Sequence, residues 1–388
     1  MIKNKISLKR DKYLGCLIGG AAGDALGYPV EFISEREIKN RFGDRGITEY
    51  VPLSGTARIS DDTQMTLFTA NGLLNSISEI GGNRDLGKLV FNVGSCYVDW
   101  LLTQALDYPV TAIKTNSWLM NVPELFSRRA PGHTCLSALK TRVGGVGASI
   151  SHPVNDSKGC GGVMRVAPIG LFNTKHKLSI EETDLVAAEA AALTHGHALG
   201  YIPAAGLAHI VRRTAQDNMP LEKAVNDMIK TVGKLFAESS EINTFTSLMF
   251  FLLFAESSEI NTFTSLMNSA VSLSKSDTSD IDAVNQLGEG WVAEEALAVA
   301  IFCALKYSDD FESALVASVN HNGDSDSTGA ITGNILGAHL GLSAIPEKYL
   351  NGLELFDVTK TLAEDLLSPD VGSEEWESKY LSKTYKPC

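Results

Sequence analysis

Apolar residues recur at helical spacing along most of this chain. In the stretch 64–74, for example, Met65, Phe68 and Leu73 follow one another at intervals of three and five residues. Such spacing is typical of a helix with one buried face. Pro, Asn and Gly residues separate such stretches and indicate loops. Strand-like alternation is scarce. The pattern therefore predicts an all-α fold, with further helices over 86–102, 137–141, 185–193, 294–305 and 311–319.

Glycines repeat every fourth residue in two of the apolar stretches. A spacing of four places them along one face of a helix, where they allow a neighbouring backbone to approach closely. Asp24 lies within the first of these stretches and needs a hydrogen-bond partner or a cation if it is buried. Glu31 follows Pro29, where that helix is expected to have ended. The repeated glycines are Gly15, Gly19, Gly23 and Gly27 in the first stretch and Gly329, Gly333 and Gly337 in the second.

Two short segments concentrate acidic and hydroxyl side chains just ahead of helical patterns. One is 322–329, which reads NGDSDSTG, and the other is 60–63, which reads SDDT. Helix capping explains a single acid at such a position, but it does not explain two acids beside two hydroxyls. Oxygen ligands of this kind are the ones that Mg²⁺, Mn²⁺ and Ca²⁺ prefer. We therefore expect the two segments to meet around metal ions.

Two other uses of acidic motifs do not fit. An EF-hand loop that begins at Asn320 or Asn322 puts Ser325 or Ser327 where the turn glycine belongs. The helical prenyl synthases bind a diphosphate through Mg²⁺ with a D-D-x-x-D motif, but the position of the third acid is Met65 in this chain. Neither alternative explains both segments.

One glycine-rich loop, 157–165, leads into a predicted helix, and its backbone N–H groups are placed to cradle a phosphate. A simple turn without a binding role is the alternative, because the P-loop spacing is absent. His195 and His197 follow the next predicted helix. Two histidines without a nearby cysteine are more typical of a contact with the helix dipole plus a surface residue than of a zinc site.

The stretch 235–249 recurs identically at 253–267, and this offset of 18 residues corresponds to five helical turns. We interpret the duplication as a helical insertion on an outer helix, and the residues between the copies (250–252) as an exposed apolar patch. From about Ser343 onward the chain is expected to be peripheral.

Composition limits the functional classes. The 388 residues are 44% apolar, so the chain is long enough to bury a large core, and 33 basic against 46 acidic residues give a net charge of −13. This charge disfavours nucleic-acid binding. The six cysteines are dispersed, which predicts reduced thiols in a cytoplasmic protein. The apolar run after the basic N-terminus is short and glycine-rich, so we expect neither a cleaved signal peptide nor a membrane span.

Five motifs together resemble the ADP-ribosylglycohydrolase family, the type that includes the dinitrogenase-reductase-activating glycohydrolases. They occur in the family's order between residues 13 and 341 or so. They are GGAAGDALG at 19–27 with Glu31, SDDT at 60–63, GCGGVMRVAP at 159–168, Thr194 with His195, and GDSDS at 323–327.

The resemblance implies a single, compact, many-helix domain over residues 1–388 with a metal-lined cleft that holds two Mg²⁺ ions, for which Mn²⁺ could substitute. By this resemblance the ions would bind the ribose hydroxyls next to the scissile bond, and carboxyl groups would act as the general acid and base. The implied metal ligands are Ser60, Asp61, Asp62, Asp324, Asp326 and Ser327; the implied substrate-binding residues are Ser157, Gly159, Cys160, Gly161 and His195; and the catalytic candidates are Glu31, Asp62 and Asp326.

The chain departs from the family's pattern at three of these positions. The family usually has Asn where Cys160 stands, so an amide is lost from the substrate-binding loop, and it usually has Thr where Ser60 and Ser327 stand. Serine keeps the hydroxyl oxygen, so metal binding should survive those two changes. The change at Cys160 is expected to alter affinity or specificity.

The resemblance also implies an activity: metal-dependent hydrolysis of the N-glycosidic bond between ADP-ribose and a modified protein side chain, with arginine the first candidate. Serine-linked or free ADP-ribose derivatives are alternative substrates. A protein of a different class, which binds and blocks a cognate ADP-ribosyltransferase as an immunity or regulatory protein, is the other alternative. The intact acids favour catalysis, since a pure binder has no need of them.

Overall fold

The computed structural model describes residues 2–80, 85–111, 113–172, 178–237 and 257–381. In this part of the chain the regular secondary structure is helical, and extended segments pair only in isolated bridges. The predicted all-α fold is confirmed. The helices are α1 (Ile2–Gly27), α2 (Glu35–Phe42), α3 (Asp61–Ile80), α4 (Leu86–Thr103), α5 (His133–Val143), α6 (Ala167–Leu171), α7 (Ile180–Ala192), α8 (Ala198–Val211), α9 (Leu221–Ala237), α10 (Ser257–Leu273), α11 (Asp280–Leu287), α12 (Ala293–Lys306), α13 (Phe311–Val319), α14 (Ser325–Leu340), α15 (Phe356–Leu367) and α16 (Glu374–Tyr380).

The two glycine-bearing helices, α1 and α14, pack against each other in antiparallel orientation at the centre of the fold. A Cβ atom added at Gly19 would lie 2.6 Å from the carbonyl oxygen of Gly333, and one added at Gly23 would lie 2.0 Å from that of Gly329. Because real Cβ contacts are never this short, both stripes have to be glycine. The close approach expected from the spacing of four is confirmed, and it brings the start of α14 beside the end of α1.

The close packing of α1 against α14 leads to a prediction about the stability of the protein. In Gly333→Ala the new Cβ would lie 2.0 Å from the Gly19 carbonyl oxygen, so the two helices must separate. We expect unfolding to become easier by about 3 kcal/mol or more, the upper end of the usual cost of overpacking. Thermal or denaturant unfolding measures this. In the control Gly87→Ala, the nearest atom lies 3.4 Å from the new Cβ, so stability should hold or rise; equal stability of both variants would contradict the packing argument.

The segment after Ser343 is not peripheral, contrary to the expectation from sequence. Tyr349, Leu362 and Leu366 are buried, and α15 packs against α1 and α3. Apolar residues four apart on α15 explain this packing, because they form the buried stripe of an amphipathic helix. The C-terminal segment therefore supports the two helices that lead into the site described below.

The duplicated stretch is only partly described. The second copy lies largely in α10, an amphipathic helix that buries Ile260, Phe263 and Met267 and exposes its other face. The first copy beyond Ala237 and the apolar residues 250–252 lie outside the described residues. The second copy is therefore packed into the core along one side of its helix.

Candidate active site

The first acidic motif lies at the N-terminus of α3. Asp61 and Asp62 occupy the first turn, where the helix dipole favours negative charge. The Ser60 hydroxyl accepts a hydrogen bond from the Asp62 N–H at 3.2 Å. Asp24 of α1 holds the motif from beneath, since its carboxylate accepts from the backbone N–H groups of Ser60 at 2.8 Å and Thr63 at 3.0 Å. The buried Asp24 thus has hydrogen-bond partners and needs no cation.

The second acidic motif lies at the N-terminus of α14. Asp324 is the N-cap residue, and its Oδ1 accepts a hydrogen bond from the Ser327 N–H at 3.2 Å. Asp326 Oδ1 accepts from the same N–H at 3.0 Å. Thr328 bonds to the backbone of the preceding turn and to His321 at 2.9 Å. Helix capping explains the position of Asp324. Asp326 places a second acid in the first turn of the same helix.

The two motifs meet in one cavity of about 340 Å³. Five carboxylates line it: Glu31, Asp61, Asp62, Asp324 and Asp326. Glu31 reaches the cavity from the short 3₁₀ turn that follows α1. None of the described residues that line the cavity is Lys or Arg. The predicted convergence of two segments more than 250 residues apart is therefore present, and among the described lining residues negative charge is in excess, with no Lys or Arg to balance it.

This donor set fits a divalent cation. Carboxylate oxygens of Glu31, Asp324 and Asp326 all lie within 4.8 Å of one another. Glu31 Oε2 and Asp62 Oδ2 are buried and have no hydrogen-bond partner within the described part of the chain. Buried carboxylate oxygens without a partner are costly unless a cation or a proton compensates them. Oxygen ligands of this kind suit Mg²⁺ or Mn²⁺.

Burial and mutual repulsion raise the pKa values of these acids in the protein without metal. Burial, with the charges of Asp324 and Asp61, raises the pKa of Glu31 to about 9. Burial, with the neighbouring carboxylates, raises the pKa of Asp62 and Asp326 well above the usual range. Both effects disfavour the charged form of these carboxyl groups. The cluster therefore stores unfavourable electrostatic energy that a cation would relieve.

A pH and metal dependence of stability follows. Between the ordinary pKa of 4.5 and the folded-state pKa of about 9, the folded protein without metal holds a proton on Glu31 that the unfolded chain has lost. Stability therefore falls as pH rises through this window. Calorimetry in EDTA should show a declining melting temperature, and Mg²⁺ should raise that temperature more at pH 8 than at pH 5.5. The same rise at both pH values would contradict the electrostatic account.

The glycine-rich loop forms another part of the cavity wall. Cys160–Gly162 is a 3₁₀ turn, and the short helix α6 follows it. A Cβ atom at Gly161 would lie 2.9 Å from the ring of His195, so glycine is required for the loop to approach this histidine. His195 is buried, and burial together with Arg165 lowers its pKa to about 3. A neutral imidazole and a glycine backbone therefore lie side by side at the cavity.

The histidines differ from the dipole-plus-surface interpretation. His195 is buried in the cavity wall, and its Nδ1 lies 2.8 Å from the Thr194 hydroxyl. His197 is half-buried and caps the next helix, because its Nδ1 accepts from the Leu199 N–H at 3.0 Å. The part of that interpretation that places one histidine at the surface is wrong, because the His195 ring packs against the glycine-rich loop and the His197 ring lies 3.5 Å from Glu259 of α10.

Cys160 contacts the second acidic motif directly. Its Sγ lies 2.7 Å from Asp324 Oδ2 and 3.6 Å from the Ser327 hydroxyl. The thiol donates to the carboxylate, and burial raises the pKa of this thiol well above its usual range. The side chain at this position thus touches two of the residues that the sequence analysis assigned to metal binding.

Two of the proposed site residues do not line the cavity. Ser60 is fully buried, behind the α3 N-terminus. Ser157 accepts a hydrogen bond from the Gly159 N–H at 3.3 Å and lies 3.4 Å from the Thr134 hydroxyl. Both hydroxyls are bonded to the backbone of residues that do line the cavity, so in this structure they support its walls.

Sequence reasoning missed an aromatic pair at the cavity. The rings of Phe32 and Trp291 stack with centroids 5.8 Å apart and an interplanar angle of 17°. Both residues line the cavity, and Phe32 is 72% exposed. The only sequence signal is that Phe32 follows Glu31. Trp291 lies in the loop before α12, where no motif marks it.

Comparison with known proteins agrees with the fold. The sequence matches the ADP-ribosylglycohydrolase family over residues 6–375. It is 24% identical over 353 residues to the ADP-ribosyl-[dinitrogen reductase] glycohydrolase of Rhodospirillum rubrum, which covers 89% of this chain and 91% of the relative. It is 26% identical over 220 residues to the ADP-ribosylhydrolase ARH3 of Homo sapiens, which covers 54% of this chain and 58% of that protein.

A solved structure has the same fold. The chain superposes on an ADP-ribosylglycohydrolase-related protein complex with a TM-score of 0.54 at 21% identity, over 93% of this chain and 98% of the other. Within the described residues, no helix has the length and apolar character needed to cross a bilayer.

These observations define an all-α enzyme with an acid-lined cleft between helix N-termini. The family match covers nearly the whole chain and includes all five of the motifs quoted above. The chain therefore belongs to the ADP-ribosylglycohydrolase family, whose members hydrolyse ADP-ribosyl bonds.

Proposed function

We propose that this protein removes ADP-ribose from modified arginine side chains of proteins by Mg²⁺-dependent hydrolysis of the N-glycosidic bond. One observation carries the proposal: carboxylate oxygens of Glu31, Asp324 and Asp326 lie within 4.8 Å of one another in a cavity that also holds Asp61 and Asp62. Such a cluster is stable in charged form only with cations. The described cysteines form no disulfide, which suits the reducing cytoplasm that we propose as its location.

We propose that this donor set holds two ions, and we expect Mn²⁺ to substitute for Mg²⁺. When bound, the ions would supply positive charge that polarises substrate hydroxyls. The chain's own contribution is to fix the donors at two helix N-termini. The residues that would hold the ions are Ser60, Asp61, Asp62, Asp324, Asp326 and Ser327. For Ser60, this role requires its hydroxyl to leave the Asp62 N–H from which it now accepts a hydrogen bond.

Glu31, Asp62 and Asp326 are the candidates for proton transfer. Glycoside hydrolysis passes through an oxocarbenium-like state and needs a carboxyl group that protonates the leaving group. We assign this role first to Glu31, because it lies in the cavity with Asp324 and Asp326 and is not one of the proposed metal ligands. Its Oε2 has no hydrogen-bond partner among the residues that the structure describes, which leaves it to bond to a substrate atom.

The rest of ADP-ribose would lie along the glycine-rich loop. Gly159, Cys160 and Gly161 place backbone against the cavity beside the neutral ring of His195. The Gly159 N–H donates to the Ser157 hydroxyl and the Cys160 N–H donates to the Trp291 carbonyl. We therefore assign the Gly161 N–H to a phosphate oxygen, and we assign the distal ribose to the same wall. Ser157 would act by holding the Gly159 N–H.

The aromatic pair supports arginine as the modified residue. Phe32 adjoins Glu31 in sequence, and it stacks with Trp291 at the cavity. Aromatic faces bind a planar guanidinium group well, with about 0.5–2 kcal/mol per contact. A serine linkage offers no planar cation to such a surface. The pair therefore favours an arginine leaving group over a serine one.

The experiment that tests this proposal compares two linkages of ADP-ribose to protein, one to arginine and one to serine. Purified protein is incubated with arginine-modified and serine-modified ADP-ribosyl proteins, in Mg²⁺ and in EDTA, and released ADP-ribose is measured by chromatography. We expect Mg²⁺-dependent release from the arginine linkage. Release from the serine linkage alone would overturn the assignment of arginine, and no release from either would overturn the proposed hydrolysis.

The Trp291→Leu variant tests the role of the aromatic pair. It should raise KM for the arginine-linked substrate severalfold, because the contact with the guanidinium is lost. Phe91→Leu is the matched control, since Phe91 is also exposed but does not line the cavity. An equal effect of both substitutions would remove the argument for an arginine-binding surface.

A further inference from the structure

A buried ion pair lies directly behind the first acidic motif. The guanidinium of Arg129 donates from Nη2 to Glu354 Oε1 at 2.8 Å and from Nη1 to Oε2 at 3.1 Å. Both side chains are only 9% exposed. The two residues are 225 positions apart, and neither lines the cavity. Their bidentate geometry fixes both side chains.

The pair is bonded to the backbone that carries the acids. Glu354 Oε2 accepts from the Ile59 N–H at 3.0 Å. Arg129 accepts through its own carbonyl oxygen from the Asp61 N–H at 3.0 Å. Three residues beyond Arg129, the Gly132 N–H donates to Asp61 Oδ2 at 3.3 Å. The segment from Ile59 to Asp61 is therefore held on two sides by one connected unit.

The C-terminal segment is itself anchored beside this loop. The Ala57 N–H donates to the Gly352 carbonyl at 2.8 Å, and the Glu354 N–H donates to the Ala57 carbonyl at 3.0 Å. Leu355, the next residue, has a φ of +57°, which is unfavourable for a residue with a side chain. A strained conformation persists only where the surroundings hold it, and the residue that it orients is Glu354.

A contribution to stability alone does not account for this arrangement. Burying an ion pair costs desolvation energy that often equals the attraction gained, so such pairs are weak evidence of stabilisation. The hydrogen bonds to Ile59 and Asp61 instead fix the geometry of Ser60, Asp61 and Asp62. Groups that orient metal ligands in this way commonly change metal affinity when they are replaced.

We propose that Arg129 and Glu354 form a positioning unit that sets the geometry of the Ser60–Asp62 metal-binding loop and thereby its affinity for divalent cations. This inference rests on the proposed function, since it takes the acids to be metal ligands. Neither residue touches the cavity, so both act through the loop.

The proposed positioning role is tested by measuring metal affinity in the absence of turnover. Mn²⁺ binding to the full chain is followed by electron paramagnetic resonance or calorimetry, for wild type, Glu354→Gln and Arg129→Met. We expect a dissociation constant about 10–100-fold higher in each variant. The double variant should lose about as much as either single variant, because removal of one partner already breaks the unit.

The controls separate positioning from stability. Leu362→Ala removes a buried side chain of α15 and should lower the melting temperature, yet leave Mn²⁺ affinity within twofold of wild type. Glu364→Gln breaks the exposed ion pair with Arg10 and should change neither. Affinity that follows melting temperature across all variants would overturn the inference.

Failure of the inference is distinguishable from failure of the proposed function. Wild type that binds Mn²⁺, with Glu354→Gln and Arg129→Met binding equally well, overturns the positioning role and leaves the metal centre in place. Wild type that binds no Mn²⁺ overturns the metal centre and the positioning role together.

Discussion

Replacing Asp324 with alanine is expected to lower ADP-ribose release by about 10²–10³-fold or more, because a metal-bound substrate loses several kcal/mol of charge stabilisation. Asp324 lies in the carboxylate cluster with Glu31 and Asp326. The fold should survive, since the change removes one helix cap at a cost of about 1 kcal/mol. Steady-state kinetics and circular dichroism measure the two effects.

The chain offers a matched control for this substitution. Asp310 is the N-cap of α13 as Asp324 is of α14, and its Oδ1 accepts from the Ser313 N–H at 3.0 Å. Asp310→Ala should have a similar cost in stability and leave turnover unchanged. Retained turnover in Asp324→Ala, or equal loss in both variants, would refute the metal-binding role.

The corresponding change at Asp62 should separate activity from stability. Burial and the other acids raise the pKa of Asp62 well above its usual range. Asp62→Ala should abolish turnover, because it removes a proposed metal ligand. Asp62→Asn should also lose turnover, but in EDTA it should stabilise the protein by about 1 kcal/mol. A stabilised, inactive Asp62→Asn variant is what an electrostatically strained metal site predicts.

The second large effect is expected at Glu31. Glu31→Gln keeps the size of the side chain and removes its acid, and we expect kcat to fall by about 10²–10⁴-fold, the usual range for loss of a general acid or base. If KM changes little, the lost interaction is made mainly in the transition state.

Glu35→Gln is the control for Glu31→Gln. Glu35 lies four residues further on, in the first turn of α2, and pairs with Lys39 at the surface. Its replacement should leave kcat within twofold of wild type. A Glu31→Gln variant with full activity would transfer the proton-transfer role to Asp62 or Asp326.

Local patterns predicted much of the fold. The glycine spacing in α1 and α14 indicated a close helix contact because only a residue without Cβ permits it, and the acids at 60–63 and 324–326 indicated helix starts because such side chains cap helices. These signals lie within a few residues of one another in sequence, so they are readable without knowledge of the fold.

Contacts between distant segments could not be predicted in the same way. Arg129 and Glu354 are 225 residues apart, and neither has a local pattern that names the other. The contact of Cys160 with Asp324 likewise depends on how the glycine-rich loop packs against α14. Sequence motifs named candidates for the site but missed the aromatic pair, and only the packing of the helices showed which side chains touch.

The departure at Cys160 has a second consequence beside the expected change in affinity or specificity. The sequence analysis placed the lost amide in the substrate-binding loop, and the structure shows that the thiol in its place lies 2.7 Å from Asp324 Oδ2. A residue at this position therefore acts on the acidic cluster as well as on the substrate wall. This explains in physical terms how a change in the loop can reach the metal-binding half of the site.

The measurement that tests the central claim most directly is release of ADP-ribose from an arginine-modified protein by one preparation treated in three steps. The protein is assayed in Mg²⁺, again after removal of metal by EDTA and dialysis, and again after Mg²⁺ is restored. We expect release, loss and recovery in that order, with Asp324→Ala inactive throughout. Release that is unchanged after removal of metal would contradict the proposed role of the acidic cluster.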